Sequence, residues 1–207
     1  MAETFNQIRI NAGISYLRFR RYLELIFIII MFPVILILFL LFSIMVFIDS
    51  GNRIIYKQTR IGLNGKPFIM YKFRTMRAIP KFQNNYFLHQ RDRVTSFGKF
   101  LRKHRLDELP QIWNVLKGDM SLIGPRPEAI ELYYYFLNAI PDYLNRTMIT
   151  PGITGWAQAN YAHTLTIEGN KEKLKYDIYY INHLSIKLDL IIIIKTLKVI
   201  FTGKNSE

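Results

Sequence analysis

Asp107 and Glu108 are the only adjacent acidic pair among fifteen acidic residues, and they stand directly before a helix-like apolar pattern of Leu109, Ile112, Trp113 and Leu116. That spacing predicts a helix over about 107–117, with Pro110 tolerated in its first turn and Gly118, behind Lys117, as a left-handed C-terminal cap. Carboxylates at a helix N-terminus face free amides and the positive end of the dipole, which hold them ionised. An ionised Asp107 in that position can act as a nucleophile. Taken alone, the pair reads more simply as a helix cap.

A second segment changes that balance. In Gly124-Pro125-Arg126-Pro127-Glu128 two prolines fix the backbone on either side of one arginine, so Arg126 loses little entropy when it binds an oxyanion. A guanidinium fork suits phosphate better than an ammonium does. The same segment also reads as a turn that caps a following helix over about 127–139. Lys72 and Arg74 lie two apart on an expected strand and so share a face, either toward a diphosphate or toward solvent. Lys99, Arg102, Lys103 and Arg105 cluster on a short helix expected from Ser96 to about Arg105, with Arg102 placed to meet a phosphate.

The elements that would position these groups follow from pattern. Residues 53–57 and 68–72 read as the two strands of a β-hairpin around a turn containing Asn64-Gly65. Residues 78–95 read as a loop. Helices are expected over about 127–139 and 168–183, and the run Leu188 to Ile194 is too short to span a bilayer and suits an interfacial or buried helix. Tyr133, Tyr134, Tyr135 and Phe136 fit either lipid headgroups or a core, and Trp156 in Pro151-Gly152-Ile153-Thr154-Gly155-Trp156 reads as a core plug. There is no internal repeat.

Leu25 to Ile48 is 24 residues without a charge, about 36 Å if helical and straight. Pro33 interrupts it, and basic residues flank both ends: Arg9, Arg18, Arg20 and Arg21 before, Arg53, Lys57, Arg60 and Lys66 after. Basic flanks belong on the cytoplasmic side, so a segment that dips in, turns near Pro33 and returns fits as well as a spanning helix. No cleavage motif follows it.

Composition bounds the partners. With 28 basic and 15 acidic residues the net charge is +13, which calls for anionic partners such as nucleotide substrates, anionic lipid or nucleic acid. Zero cysteines exclude disulfides and thiolate metal sites, and His89, His104, His163 and His183 lack zinc-binding spacing. His104, in a Lys-His-Arg run, reads as phosphate-facing or solvated rather than as a general base.

Several blocks occur in order: Thr59-Arg60-Ile61-Gly62, GKPF (Gly65 to Phe68), KFRTM (Lys72 to Met76), LDELPQ (Leu106 to Gln111), GDMSLIGPRP (Gly118 to Pro127), PGITGWAQ (Pro151 to Gln158) and the closing YDIYYI and LDL. Together with the basic residues and the Pro-broken apolar segment, they make the chain resemble the monotopic phosphoglycosyl transferases, bacterial sugar transferases that begin glycoconjugate assembly on a polyprenyl carrier. The resemblance covers nearly the whole chain. It departs at Phe32, where relatives often have Ser, at Glu24 (often Asp), at Arg105 (often Ser or Thr), and over Tyr161 to Ile167.

The resemblance implies a mainly α fold with a small β-hairpin (α+β), membrane monotopic, with a re-entrant helix broken at Pro33 and interfacial amphipathic helices. Residues 1–50 would hold the membrane helix and 51–207 the catalytic domain on the cytoplasmic face of the bacterial inner membrane. It further implies a catalytic dyad of Asp107 and Glu108 that also binds Mg2+, with phosphate or nucleotide contacts at Lys72, Arg74, Arg102 and Arg126. The substrates would be a UDP-sugar and polyprenyl phosphate. The rival expectation is a membrane-anchored basic module that binds nucleic acid or anionic lipid without catalysis; the transferase reading expects no nucleic acid. Nothing in the sequence identifies the sugar.

Overall fold

The computed structural model describes residues 2–51, 53–77, 93–161 and 164–202, with side chains of the first helix described at Gly13 and from Ser15 onward. The fold is mostly helical. Helix α1 (Ala2–Ser50) carries the apolar segment and is followed by strands β1 (Ile55–Ile61) and β2 (Pro67–Phe73). Helix α2 (Ser96–Lys103), a 3-10 turn (Leu106–Gln111) and α3 (Ile112–Lys117) lead to β3 (Ser121–Ile123). Then come α4 (Ile130–Ala139), a 3-10 turn (Tyr143–Thr147), β4 (Gly152–Thr154), α5 (Trp156–Asn160), α6 (Ile167–Asn182) and α7 (Ile186–Thr202). Most of the loop expected over 78–95, with His89 and His163, lies outside the described residues.

The β1–β2 hairpin is antiparallel, with Ile55 opposite Phe73 and Ile61 opposite Pro67. It reaches closer to the turn than the pattern suggested, because Asn64 (φ 53) and Gly65 (φ 74) take the left-handed conformation and reverse the chain within five residues. A second pair was not foreseen: β3 and β4 are parallel, Ser121 beside Gly152 and Ile123 beside Thr154. Three-residue strands give too little alternation to read. Their approach needs a glycine, since a Cβ on Gly152 would stand 2.0 Å from the Gly124 amide nitrogen.

Helix α1 corrects one expectation. It runs unbroken through Pro33 as a single helix, where the chain was expected to turn. Pro33 lies on the exposed side of a helix whose other side rests on the protein. Ile28 is buried with Met70, Val115 and Met120; Ile35 packs against the same cluster; Phe42 and Val46 are buried with Phe73 and Leu101, joined by Leu38 and Phe39. This stripe has helical spacing on both sides of the proline, and its packing offsets the roughly 3 kcal/mol cost of an internal proline. The last turn is tied down as well, Asp49 accepting the Phe97 amide at 3.0 Å. The outer face stays bare: only 11% of the most apolar stretch of Ser15–Ser50 is buried, and Phe27, Ile30, Phe32, Ile37, Leu40 and Ile44 are exposed.

Two further clusters set the rest. Ile61, Tyr133, Phe136, Ile140, Tyr143 and Leu174 join the hairpin to α4 and α6, while Ile123, Ile149, Tyr180, Leu188 and Ile192 join the β3–β4 pair to α6 and α7. Tyr134 and Tyr135 are exposed, so the aromatic run divides between core and surface. Trp156 packs against the second cluster, stacked on Tyr179 with ring centroids 6.1 Å apart.

Candidate active site

The acidic pair sits on the 3-10 turn Leu106–Gln111, not on the first turn of an α-helix. Pro110 lacks an amide, and Arg105 before the turn is left-handed (φ 57), so the chain tightens and α-helix begins only at Ile112. The predicted stop holds, with Gly118 at φ 87 closing α3. Asn114 explains how the turn meets the hairpin. Fully buried, it donates to the Ile69 carbonyl (2.7 Å) and accepts from the Tyr71 amide (3.1 Å), hooking α3 onto β2 next to Lys72.

Four of the expected residues converge. Arg126 grips Glu108 through both guanidinium nitrogens, at 2.7 and 3.2 Å, and Lys72 donates to Glu108 at 2.9 Å while lying 3.8 Å from Asp107. All are largely buried. Glu108 therefore has both oxygens taken by cations. Asp107 makes no side-chain hydrogen bond among the described residues, and Gln111, one 3-10 turn beyond Glu108, is fully buried with neither amide atom bonded.

This asymmetry separates the two carboxyls. Burial opposes charge on Glu108, but Arg126 and Lys72 overcome it and hold that carboxyl far below the usual carboxylate range. For Asp107 burial prevails over the pull of Lys72, the negative charge of Glu108 adds to it, and the carboxyl is pushed up. The expected support from helix amides is missing: among the described residues no backbone amide donates to the Asp107 carboxylate, which lies on a six-residue 3-10 turn.

Arg74 and Arg102 are not drawn into this cluster. Arg74 follows the end of β2, its Nε buried without a partner, and Arg102 donates to Thr75 Oγ1 at 2.8 Å. His104 Nδ1 lies 2.6 Å from the Ile200 carbonyl, to which it must donate, so it ties α2 to α7 and is not poised as a base.

The Gly124–Glu128 loop is held by groups that sequence reasoning passed over. Gly124 donates to Thr154 (2.8 Å) and Gly152 to the Pro125 carbonyl (2.9 Å), both from the unforeseen strand pair. Arg60 donates to the Pro127 carbonyl (3.1 Å). Arg146, 3% exposed, donates to the Arg126 carbonyl (3.0 Å), to Tyr143 Oη (2.6 Å) and to Glu128 (2.9 Å), and pairs with Asp177 (2.8 Å). Lys173 also pairs with Glu128.

A rigid fork and an ammonium beside two buried carboxyls have the chemistry that could serve phosphate transfer, where cations face developing negative charge. Among the described residues no three His, Cys, Asp or Glu side chains group to hold a metal. Mg2+ does not require that, since it commonly takes one or two carboxylates together with substrate phosphates and water. Asp107, with no hydrogen bond of its own, fits that use; Glu108 fits it only by releasing Lys72 or Arg126.

Residues 15–203 match the bacterial sugar transferase family profile, and the chain belongs to that family. It is 38% identical over 189 residues to the UDP-N-acetylgalactosamine-undecaprenyl-phosphate N-acetylgalactosaminephosphotransferase of Aeromonas hydrophila, covering 91% of this chain and 45% of the relative. It is 39% identical over 160 residues to the UDP-glucose:undecaprenyl-phosphate glucose-1-phosphate transferase of Escherichia coli K12, covering 76% and 34%. An uncharacterized sugar transferase of Bacillus subtilis, EpsL, is 38% identical over 169 residues, covering 81% and 80%. The chain thus spans less than half the length of the first two relatives and most of the third.

Proposed function

We propose that this chain transfers a sugar phosphate from a UDP-sugar to polyprenyl phosphate at the cytoplasmic face of the inner membrane, through a covalent intermediate on Asp107. The observation that carries the reading is the unequal dyad: Glu108 saturated by Lys72 and Arg126, Asp107 beside it without a hydrogen bond. The names of two relatives, specifying UDP-sugar donors and undecaprenyl phosphate, support the substrate class.

In the first step an Asp107 oxygen attacks the β-phosphorus, an O–P bond forms, the bridging bond to the α-phosphate breaks, and UMP leaves. In the second, a lipid phosphate oxygen attacks the same phosphorus and Asp107 departs as carboxylate. The product is polyprenyl diphosphate sugar with its sugar–phosphate bond intact. Arg126 and Lys72 supply the fixed positive charge these anions need, and Glu108 holds both cations in place. Mg2+, held by Asp107 with or without Glu108, would offset the charge of the donor diphosphate. Two relatives of similar identity to this chain are named for different sugars, so overall likeness does not choose the sugar here.

The membrane reading rests on packing. A helix crossing the bilayer would carry its two ends to opposite faces, about 30 Å apart. Here Ile28, Phe42, Val46 and Asp49 all rest on one body, which supports an α1 that enters and stays within one leaflet with its bare face toward lipid.

The purified protein is incubated with UDP-sugar alone and searched by mass spectrometry for a phosphosugar adduct on Asp107. Asp107→Asn should lose both adduct and turnover, with UMP as the nucleotide product of the wild type. Full activity of that variant, or release of UDP, would overturn the mechanism.

A further inference from the structure

Where α1 emerges from the uncharged segment toward its N-terminus, a cavity of about 420 Å3 opens between the helix and the loop before β3, and its lining includes none of Lys72, Asp107, Glu108 and Arg126. Arg18, Arg20 and Arg21 line it, with Glu24, Ser121 and Thr150. The floor is built. Glu24 accepts from the Ser121 hydroxyl and the Leu122 amide, and Arg20, 7% exposed, donates to Ser121 Oγ (3.0 Å) and Tyr180 and pairs with Asp189 (3.6 Å).

Against this fixed floor two cationic walls are under-used. Arg18 makes no ion pair among the described residues, and Arg21 spends one nitrogen on the Leu116 carbonyl (3.2 Å) with Glu24 3.9 Å from the other. Arg21 Nη1 and Arg20 Nε are buried against Glu24, at 3.9 and 3.5 Å, so an anion in the cavity would meet exposed Arg18 and the half-buried Arg21. Three arginines against Glu24 and Asp189 leave one net positive charge, with Arg18 unpaired among the described residues, so the cavity favours an anion.

Its setting narrows the class. Phe19, Tyr22, Leu23, Ile26 and Phe27 are exposed around and above it, and the charge-free run starts at Leu25. A ligand here would put an anionic head against guanidinium groups and an apolar tail along the bare face of α1. We propose that this cavity binds the phosphate group of a membrane lipid, at a site separate from Asp107. The proposal rests on the lipid-facing reading of α1 but not on the transfer chemistry.

The test uses full-length protein in detergent, with native mass spectrometry following adducts of dihexanoyl-phosphatidylglycerol, farnesyl phosphate and inorganic phosphate in parallel. The probes are soluble, so binding is read whatever the topology of α1, and Asp107→Asn protein can be used so that turnover is irrelevant. Arg18→Gln/Arg21→Gln should weaken one of the two lipid probes by about tenfold or more, the loss of two charge-assisted contacts. Lys171→Gln/Lys175→Gln, which removes the same charge from an exposed face, should not. Loss confined to phosphatidylglycerol assigns the cavity to a bilayer phospholipid, and loss confined to farnesyl phosphate assigns it to the polyprenyl carrier. Equal affinity of wild type and the Arg18/Arg21 variant for both lipids, with melting temperature unchanged, would overturn the proposal. So would inorganic phosphate binding as tightly as either lipid.

Discussion

Glu108→Gln tests whether the centre of the site is held by charge. The substitution keeps shape and removes one negative charge from contact with Lys72 (2.9 Å) and Arg126 (2.7 and 3.2 Å), all three side chains being less than a fifth exposed. Deleting one partner of a buried ion pair costs about 3–5 kcal/mol, because the surviving charge stays desolvated. Asp107, 3.8 Å from Lys72, is a substitute partner and draws the figure toward the lower end. At about 2–4 °C per kcal/mol for a chain of this size, the melting temperature should fall by about 6–20 °C. Differential scanning fluorimetry in detergent measures it, and Lys72→Met/Glu108→Gln should recover part of the loss by removing cation with anion. The pH dependence has a definite sign. Glu108 is held below its unfolded value of about 4.3, so its stabilisation is complete above that pH and is lost as acid protonates the folded carboxylate. The gap between variant and wild type should therefore narrow below about pH 4. Melting within about 1 °C of wild type at neutral pH, or a gap that widens in acid, would refute the reasoning.

Three further outcomes are expected. Because burial pushes the Asp107 carboxyl up and attack needs the anion, the acid limb of kcat/KM against pH should lie above the ordinary aspartate value of about 3.9; a limb at or below it would contradict the assignment. Arg146→Gln strands Asp177, leaves Glu128 with Lys173 alone and frees the Arg126 carbonyl, so it should cost about 3–5 kcal/mol in melting experiments and lower activity, with Arg146→Lys partly restoring both. The chain has no cysteine, so Tyr22→Cys and Tyr56→Cys, both exposed positions, report topology directly: an impermeant maleimide should label both from the same side, and labelling from opposite sides would mean that α1 crosses the bilayer.

What was legible in the sequence was local. The stop at Gly118, the Asn64-Gly65 turn, the hairpin and the helix around residues 168–183 follow from neighbours a few positions apart, and short spacing also marked Asp107, Glu108 and Arg126. Lys72 was found as one of two alternating cations, but alternation did not separate it from Arg74, since β2 ends between them. The remainder depends on partners distant in the chain. Asn114 is a plain helical residue until β2 lies against it, 43 and 45 positions away. Arg146 meets Arg126, Glu128 and Asp177 only once α4 and α6 have packed. Pro33 signalled a break by its chemistry, and the stripe from Ile28 to Val46 that carries the helix through it became visible only with the protein body beside it.

Helix α1 is moored to one body both at Tyr16 and Arg20 and at Asp49, and under the proposed function that bears on where the product would be left. On the proposed function, an enzyme fastened to one leaflet would release a lipid whose diphosphate head bears charge that hydrocarbon strongly resists. The glycolipid would then accumulate on the side where it was made, and reaching the opposite side would require a separate translocating protein.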